Sequence, residues 1–308
     1  MTGASNPTHR TAPVFCADVS SNHNRDLDRC LAFIRTAAAL GCGAVKFQLF
    51  RIDQLFAPEV LARSEEHRRR RAWELPREWI PRLAEECRDQ GVGFVCTPFD
   101  LEAVDVLAPH VQRLKVASYE LLWHDLLRAC GATGRPVVLS TGMATLDEVA
   151  RAVEVVRAAG CQDLTLLHCA SSYPTPPGEC NLAAIETLRR AFGCPVGWSD
   201  HSRSPAVIRR AIRRWSAAFV EFHLDLDGSG AEHALGHCWL PGEIAPLIDG
   251  TSPDGRVKDP SPLDGDGVKE PSPGELHDRE WRADPVDGLR PLRHVRAAFA
   301  RGEPERSM

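Results

Sequence analysis

From residue 13 onward, short apolar runs rich in β-branched and aromatic residues alternate with longer stretches in which apolar positions recur every three or four residues. The runs at 14–19, 44–48, 92–97, 113–117, 136–140, 164–168, 195–199 and 218–223 predict strands. The stretches at 26–40, 76–90, 145–159, 181–192 and 204–215 predict amphipathic helices. Strands that are apolar almost throughout and separated by helices belong to a parallel sheet covered on both faces. Eight such units predict an α/β chain closed into a (β/α)8 TIM barrel. No G-x-G-x-x-G follows the first run, so the main sign of a dinucleotide fold is missing.

The punctuation agrees with that pattern. Thr145-Leu-Asp-Glu148 has the spacing of a capping box, and Gly160 follows the same helix. The connection 49–75 is longer than barrel loops usually are, which predicts a lid or a small helical excursion near the site. After Gly242 the periodicity breaks, and 249–273 is crowded with Pro, Gly, Asp and Ser. The expected organisation is a disordered tail over 1–12, a catalytic barrel over 13–248, and an irregular extension over 249–308. Short helices are expected in that extension near 275–281 and 294–301.

Composition narrows the class without changing the picture. The chain of 308 residues carries a formal charge of −5, with 43% apolar and 26% charged residues. Such a chain makes no electrostatic case for nucleic acid or an anionic membrane as partner. Arg68–Arg71 is the only basic cluster and reads as a solvated face. The first dozen residues lack an apolar core, and the eleven cysteines form no C-x-x-C pair. The expectation is a cytoplasmic protein with reduced, buried thiols and no cysteine zinc site.

Candidate chemistry lies where the strands end, because barrel active sites are built there. In order, those ends carry Asp18, Lys46 with Gln48, Thr97, Lys115 with Ser118 and Glu120, Ser140 with Thr141, His168, Ser199-Asp200-His201, and Glu221 with His223. Lysines, hydroxyls and the Ser140-Thr-Gly142 turn suit a phosphate-bearing anion. His201 and His223 suit a divalent metal, and Asp18 and Glu221 could orient them or move a proton. Blander readings stand beside these: a lone barrel lysine is often a structural ion pair, and a strand-end hydroxyl is often a local cap. His168 reads as a hydrogen-bonded core histidine, and Asp225 and Asp227 read as solvated, with Glu232 the exception.

Seven motifs then fall in order: Asn22-His-Asn24, Val45-Lys-Phe-Gln48, Thr97-Pro-Phe99, Leu139-Ser-Thr-Gly-Met143, Leu167-His-Cys169, Tyr173-Pro-Thr-Pro176 and Ser199-Asp-His201. Together they resemble the sialic acid synthase (N-acetylneuraminate synthase) family, from about Val14 to the Gly267-Val-Lys-Glu-Pro271 region. The resemblance implies condensation of phosphoenolpyruvate with an aldose such as an N-acylated hexosamine, giving a 2-keto-3-deoxy sugar acid. It implies phosphate-side contacts from Lys46, Thr97, Ser118, Ser140 and Ser199, with Ser171 on the same side, and Lys115 as partner of the carboxylate. It implies His201 and His223 as ligands of Mn2+ or Mg2+. Gln48, Tyr119, Tyr173, Asp200 and Glu232 fall on the acceptor side, and Asp18, Lys46, Lys115 and Glu221 form the catalytic set.

Four positions depart from the family pattern: Asp18 for glutamate, Tyr119 for glycine, Ser171 for asparagine and Glu232 for aspartate. The chain also stops where the family's C-terminal antifreeze-like domain would begin, a domain that carries an arginine across a dimer to the acceptor site. The expectation is an acceptor pocket left open or filled by Trp281-Arg-Ala-Asp-Pro285, in a homodimer built through barrel helices. The alternatives are a non-hexosamine aldehyde acceptor, a keto-acid sugar aldolase, and a catalytically weak paralogue that only binds ligand.

Overall fold

The structure is a computed structural model that describes residues 12–250 and 261–301. The expected N-terminal tail and part of the expected extension lie outside the described residues. Eight parallel strands close into a barrel in chain order: β1 (Val14–Asp18), β2 (Ala44–Leu49), β3 (Gly93–Pro98), β4 (Arg113–Val116), β5 (Val137–Ser140), β6 (Leu164–His168), β7 (Val196–Asp200) and β8 (Phe219–His223). β8 returns to β1 with Cys16 opposite Glu221 and Asp18 opposite His223. The strands match the sequence pattern to within a residue or two. Helices at Leu101–Leu107, His124–Ala132 and Pro241–Ile248 supply units of the expected strand–helix alternation whose bounds the sequence pattern did not mark.

Alternation along the strands divides the core in two. Side chains such as Phe15, Val45, Phe47, Leu114, Leu139 and Trp198 point outward under the helices. Cys16, Ala44, Val95, Val138, Leu167 and Phe219 point inward and form a separate apolar floor. Gly197 lets that floor close: a Cβ there would stand 2.3 Å from the Phe219 carbonyl and 2.7 Å from Leu167. Two residues further along, the inward position becomes polar on β1, β2, β3, β5, β7 and β8 (Asp18, Lys46, Thr97, Ser140, Ser199 and Glu221), and the site begins.

The helices start where the sequence places caps. Asp26 accepts from Arg29 N–H, Asp100 from Ala103 N–H, and Thr145 and Glu148 form a reciprocal capping box. Stretch 49–75 is a helical excursion of short turns (Ile52–Leu55, Pro58–Arg63, Glu65–Arg69, Arg70–Trp73). It packs on residues 261–301, which run across the carboxyl-end face of the barrel as a strap. Phe56, Val60, Phe99 and Trp281 share one apolar cluster, and Ala57 N–H donates to the Arg290 carbonyl at 2.8 Å. Glu148 pairs with both Arg279 and Arg282 of the strap, and Lys269 donates to the Ala144 carbonyl at 2.7 Å. No helix among the described residues is long and apolar enough to cross a membrane. All eleven cysteines are free and buried.

Candidate active site

The polar inward layer closes into a cavity of about 270 Å3 at the mouth of the barrel, lined by residues from all eight strands or their loops, and by Arg290 of the strap. At its base Lys46 lies 2.9 Å from Asp18 and 2.9 Å from Glu221. Lys115 lies 3.5 Å from Glu221 and donates to Ser140 Oγ at 2.7 Å. Ser199 donates to Glu221 at 3.2 Å. Burial works against the charge on Lys46, but the two adjoining carboxylates outweigh it and raise its pKa. Lys115 has the opposite balance: burial, with Lys46 adding to it, lowers its pKa against the pull of Glu221. Burial would raise Glu221, yet the two ammoniums hold it well below the usual carboxylate range.

Beside this network is a cradle of small groups. Gly142 N–H donates to Ser118 Oγ at 3.0 Å, and a Cβ on Gly142 would stand 2.1 Å from Ser171 Oγ. The hydroxyls of Thr97 and Ser171 are fully buried and have no hydrogen-bond partner among the described residues. Buried polar atoms are seldom left unpaired, so these two hydroxyls, which lie behind the cavity lining, still have a hydrogen bond to give. Two ammoniums and a ring of hydroxyls can hold a phosphate and a carboxylate together.

The opposite wall is imidazole-rich. His201 Nδ1 donates to the Ala170 carbonyl at 2.8 Å, which leaves the lone pair of Nε2 for the cavity. His223 stands between Asp18 (3.6 Å) and Glu232 (3.2 Å), and these carboxylates raise its pKa despite burial. The rings of His201 and His223 are 5.4 Å apart. Glu232 reaches this wall because Asn22 anchors its loop: Asn22 Nδ2 donates to the Leu224 carbonyl, and Asn22 Oδ1 accepts from Glu232 N–H at 2.8 Å. Ser20 Oγ donates to Glu232 at 2.6 Å, and Gln48 Nε2 donates to Ser20 Oγ at 3.0 Å. Imidazoles with anchored tautomers and carboxylates behind them fit a divalent ion.

The cavity thus gathers Asp18, Lys46, Gln48, Lys115, Ser118, Tyr119, Ser140, Tyr173, Ser199, His201, Glu221, His223 and Glu232 from the sequence-derived set. Asp200 does not join them. The period of two turns it outward, where it accepts from the indole N–H groups of Trp198 (3.1 Å) and Trp239 (3.0 Å). His168 is outward by the same parity and bonds the Cys180 carbonyl at 3.0 Å. Asp225 corrects an expectation: it is fully buried, paired with Arg29 at 2.6 Å, because it shapes the loop that carries Glu232. Arg70 is a second correction, since it leaves the solvated basic face to line the cavity mouth. A third concerns the strap: Arg290, not Trp281 or its neighbours up to Pro285, lines the cavity. Its guanidinium lies 4.3 Å over the Tyr119 ring and donates to Glu120 at 2.8 Å, while Trp281 stacks on His67. Sequence reading missed Arg290 and His237. Arg290 had no signal in an irregular region, whereas Glu232-x4-His237 offered one.

The fold and this cavity define a (β/α)8 barrel whose mouth sets two buried lysines among carboxylates and hydroxyls beside a histidine-rich wall. The NeuB family profile matches residues 33–253, and the chain belongs to that family. It is 38% identical over 224 residues to the uncharacterized protein MJ1065 of Methanocaldococcus jannaschii, spanning 71% of this chain and 64% of that protein. The N,N'-diacetyllegionaminic acid synthase of Legionella pneumophila is 32% identical over 280 residues, 84% of this chain and 75% of that one. The solved spore coat polysaccharide biosynthesis protein SpsE of Bacillus subtilis superposes with a TM-score of 0.74 at 31% identity, covering 88% of this chain and 78% of that one.

Proposed function

We propose that this chain is a transferase that condenses phosphoenolpyruvate with an aldose, forming a nonulosonic-type 2-keto-3-deoxy sugar acid and releasing phosphate. The observation that carries this reading is the convergence of Lys46, Lys115, Ser118, Ser140 and Ser199 with the histidine wall in one cavity. Phosphate and carboxylate of the enol ester take the floor, and the aldehyde takes the histidine side. His201 and His223 would hold a divalent ion, Mn2+ or Mg2+, which supplies Lewis-acid polarisation of the aldehyde oxygen when bound.

The chemistry then balances on the chain's own groups. The enol C3 attacks the aldehyde carbon, one C–C bond forms, and the aldehyde oxygen takes a proton. C2 becomes oxocarbenium-like, and the carboxyl groups of Glu221 and Asp18 beside Lys46 are the ones placed to stabilise it. Water adds at C2 and Asp18 takes up one of its protons, replacing the one the aldehyde oxygen drew from solvent; the C2–O bond to phosphate then breaks, and the second proton of the added water leaves with the phosphate as the ketone forms. Lys46 and Lys115 offset the charge of the departing phosphate. Gln48, Tyr173 and Glu232 border the acceptor. Eleven free, buried thiols fit a reducing cytoplasm.

A non-hexosamine aldehyde is the second reading of the acceptor, favoured by Arg290 stacked on Tyr119 at the mouth. Incubation with phosphoenolpyruvate, Mn2+ and a panel of aldoses, followed by mass spectrometry, tests both. A product of aldose plus pyruvate, absent with Lys115→Met, is expected; no such product from any aldose would overturn the reading.

A further inference from the structure

One buried group in the cavity is not used by the chemistry above. His237 is 2% exposed, and neither of its ring nitrogens has a hydrogen-bond partner among the described residues. Its backbone is fixed independently of its side chain. The segment just beyond it pairs with the end of β8, where Trp239 N–H donates to the His223 carbonyl at 2.8 Å and Asp225 N–H donates to the Trp239 carbonyl at 2.9 Å. The ring is thereby held beside His223, with centroids 4.6 Å apart and planes at 80°. Donor atoms of His223, Glu232 and His237 all lie within 4.8 Å of one another. Nitrogens on one ion at about 2.1 Å each can be up to about 4.2 Å apart, so small side-chain adjustments bring His223 and His237 onto one centre. His201 approaches from the other side, 6.5 Å from His237 between ring centroids.

A buried imidazole with both nitrogens free is costly unless something takes up a lone pair. Glu232 is the nearest acid, but at 3.6 Å from His237 Nε2 it is beyond hydrogen-bonding distance, and its carboxylate already meets Ser20 and His223. Tyr173 presents its ring to His237, with centroids 5.0 Å apart, and so supplies shape without a lone-pair partner through that face. An ion between the three imidazoles would satisfy the nitrogen that the protein leaves open.

We propose that His237 is a third imidazole ligand of the divalent ion, so that the centre takes a first-row transition ion such as Mn2+, Fe2+, Co2+ or Zn2+ in strong preference to Mg2+. The inference rests on His201 and His223 being ligands. Mg2+ favours oxygen donors and gives up its waters reluctantly, and each added imidazole moves a site toward the transition ions. The carboxylate of Glu232 remains behind the ring of His223 as its orienting partner.

The test is metal binding without turnover. Wild type, His237→Gln, His237→Ala and His201→Ala are titrated with Mn2+, Co2+ and Mg2+ by calorimetry, with Co2+ visible absorption reporting coordination and circular dichroism confirming the fold. The expected result is that His237→Gln weakens Mn2+ and Co2+ binding by about 10-fold or more, changes the Co2+ spectrum and leaves weak Mg2+ binding unaltered. Unchanged Mn2+ affinity and Co2+ spectrum in both folded His237 variants, with binding lost in His201→Ala, would overturn the third ligand and keep the two-histidine centre. Binding retained in His201→Ala as well would overturn the centre itself.

Discussion

The Lys46 ammonium is shared by two carboxylates, Asp18 and Glu221, each 2.9 Å away, with all three side chains almost wholly buried. The network is complete only while each charge keeps its partner, because an isolated buried charge has no water to offset it. Asp18 and Glu221 come from neighbouring strands, Asp18 lying one inward position beyond the residue opposite Glu221, so the pairing is set by the barrel itself.

Removing the shared cation is therefore expected to cost more than an ordinary core substitution. Lys46→Met leaves two buried carboxylates facing each other and should destabilise the free protein by about 3–5 kcal/mol in urea unfolding. Adding Glu221→Gln to that variant should return part of the loss. A Lys46→Met protein within about 1 kcal/mol of wild type would show that the pair is solvated.

Arg290 should behave as half of a pair with Glu120. Burial raises the Glu120 pKa even with Arg290 beside it, so Arg290→Met leaves an acid that cannot easily stay ionised. We expect Arg290→Met to lose about 3 kcal/mol and Arg290→Met/Glu120→Gln to lose clearly less. Additive losses would mean the two side chains are uncoupled.

Acid should loosen the strap through His67. Burial, with Arg70 nearby, lowers its pKa to about 4, so between that value and its unfolded pKa of about 6.5 only the unfolded chain takes the proton. Stability contributed by this residue is present above about pH 6.5 and falls as pH drops toward 4, by up to about 3 kcal/mol. The difference in unfolding free energy between pH 7.5 and pH 5 should shrink in His67→Phe, which keeps an aromatic ring against Trp281. An identical difference in the two proteins would remove His67 from the acid response.

Metal and phosphoenolpyruvate should help each other bind. Asp18, Glu221 and Glu232 offset much of the lysine charge in the cavity, so added positive charge favours an anion. Saturating Mn2+ should tighten phosphoenolpyruvate by about 5-fold or more in equilibrium dialysis, and phosphoenolpyruvate should tighten Mn2+ by the same factor. Independent binding would place the two at separate sites.

The barrel was legible because each strand carries its own apolar signature, and the floor of the site because polar residues end the inward rows. Parity is the part most easily overlooked: counting by twos from Cys16, Leu167 and Phe219 separates inward Asp18, Cys169 and Glu221 from outward His168. The same count from Gly197 turns Ser199 and His201 inward and Asp200 outward. What the sequence could not reveal is the strap. Arg290 reaches the cavity through backbone pairing with Leu55 and Ala57, more than 200 residues earlier, and no local period encodes that contact.

The central claim, that this floor holds phosphoenolpyruvate, is tested most directly by titrating phosphoenolpyruvate into wild type and Lys115→Met with Mn2+ present. We expect saturable one-site binding to wild type and a loss of about 10- to 100-fold in Lys115→Met, the range for a hydrogen-bonded charge removed from a buried site. Equal affinity in the two proteins, or no binding to wild type, would contradict the account.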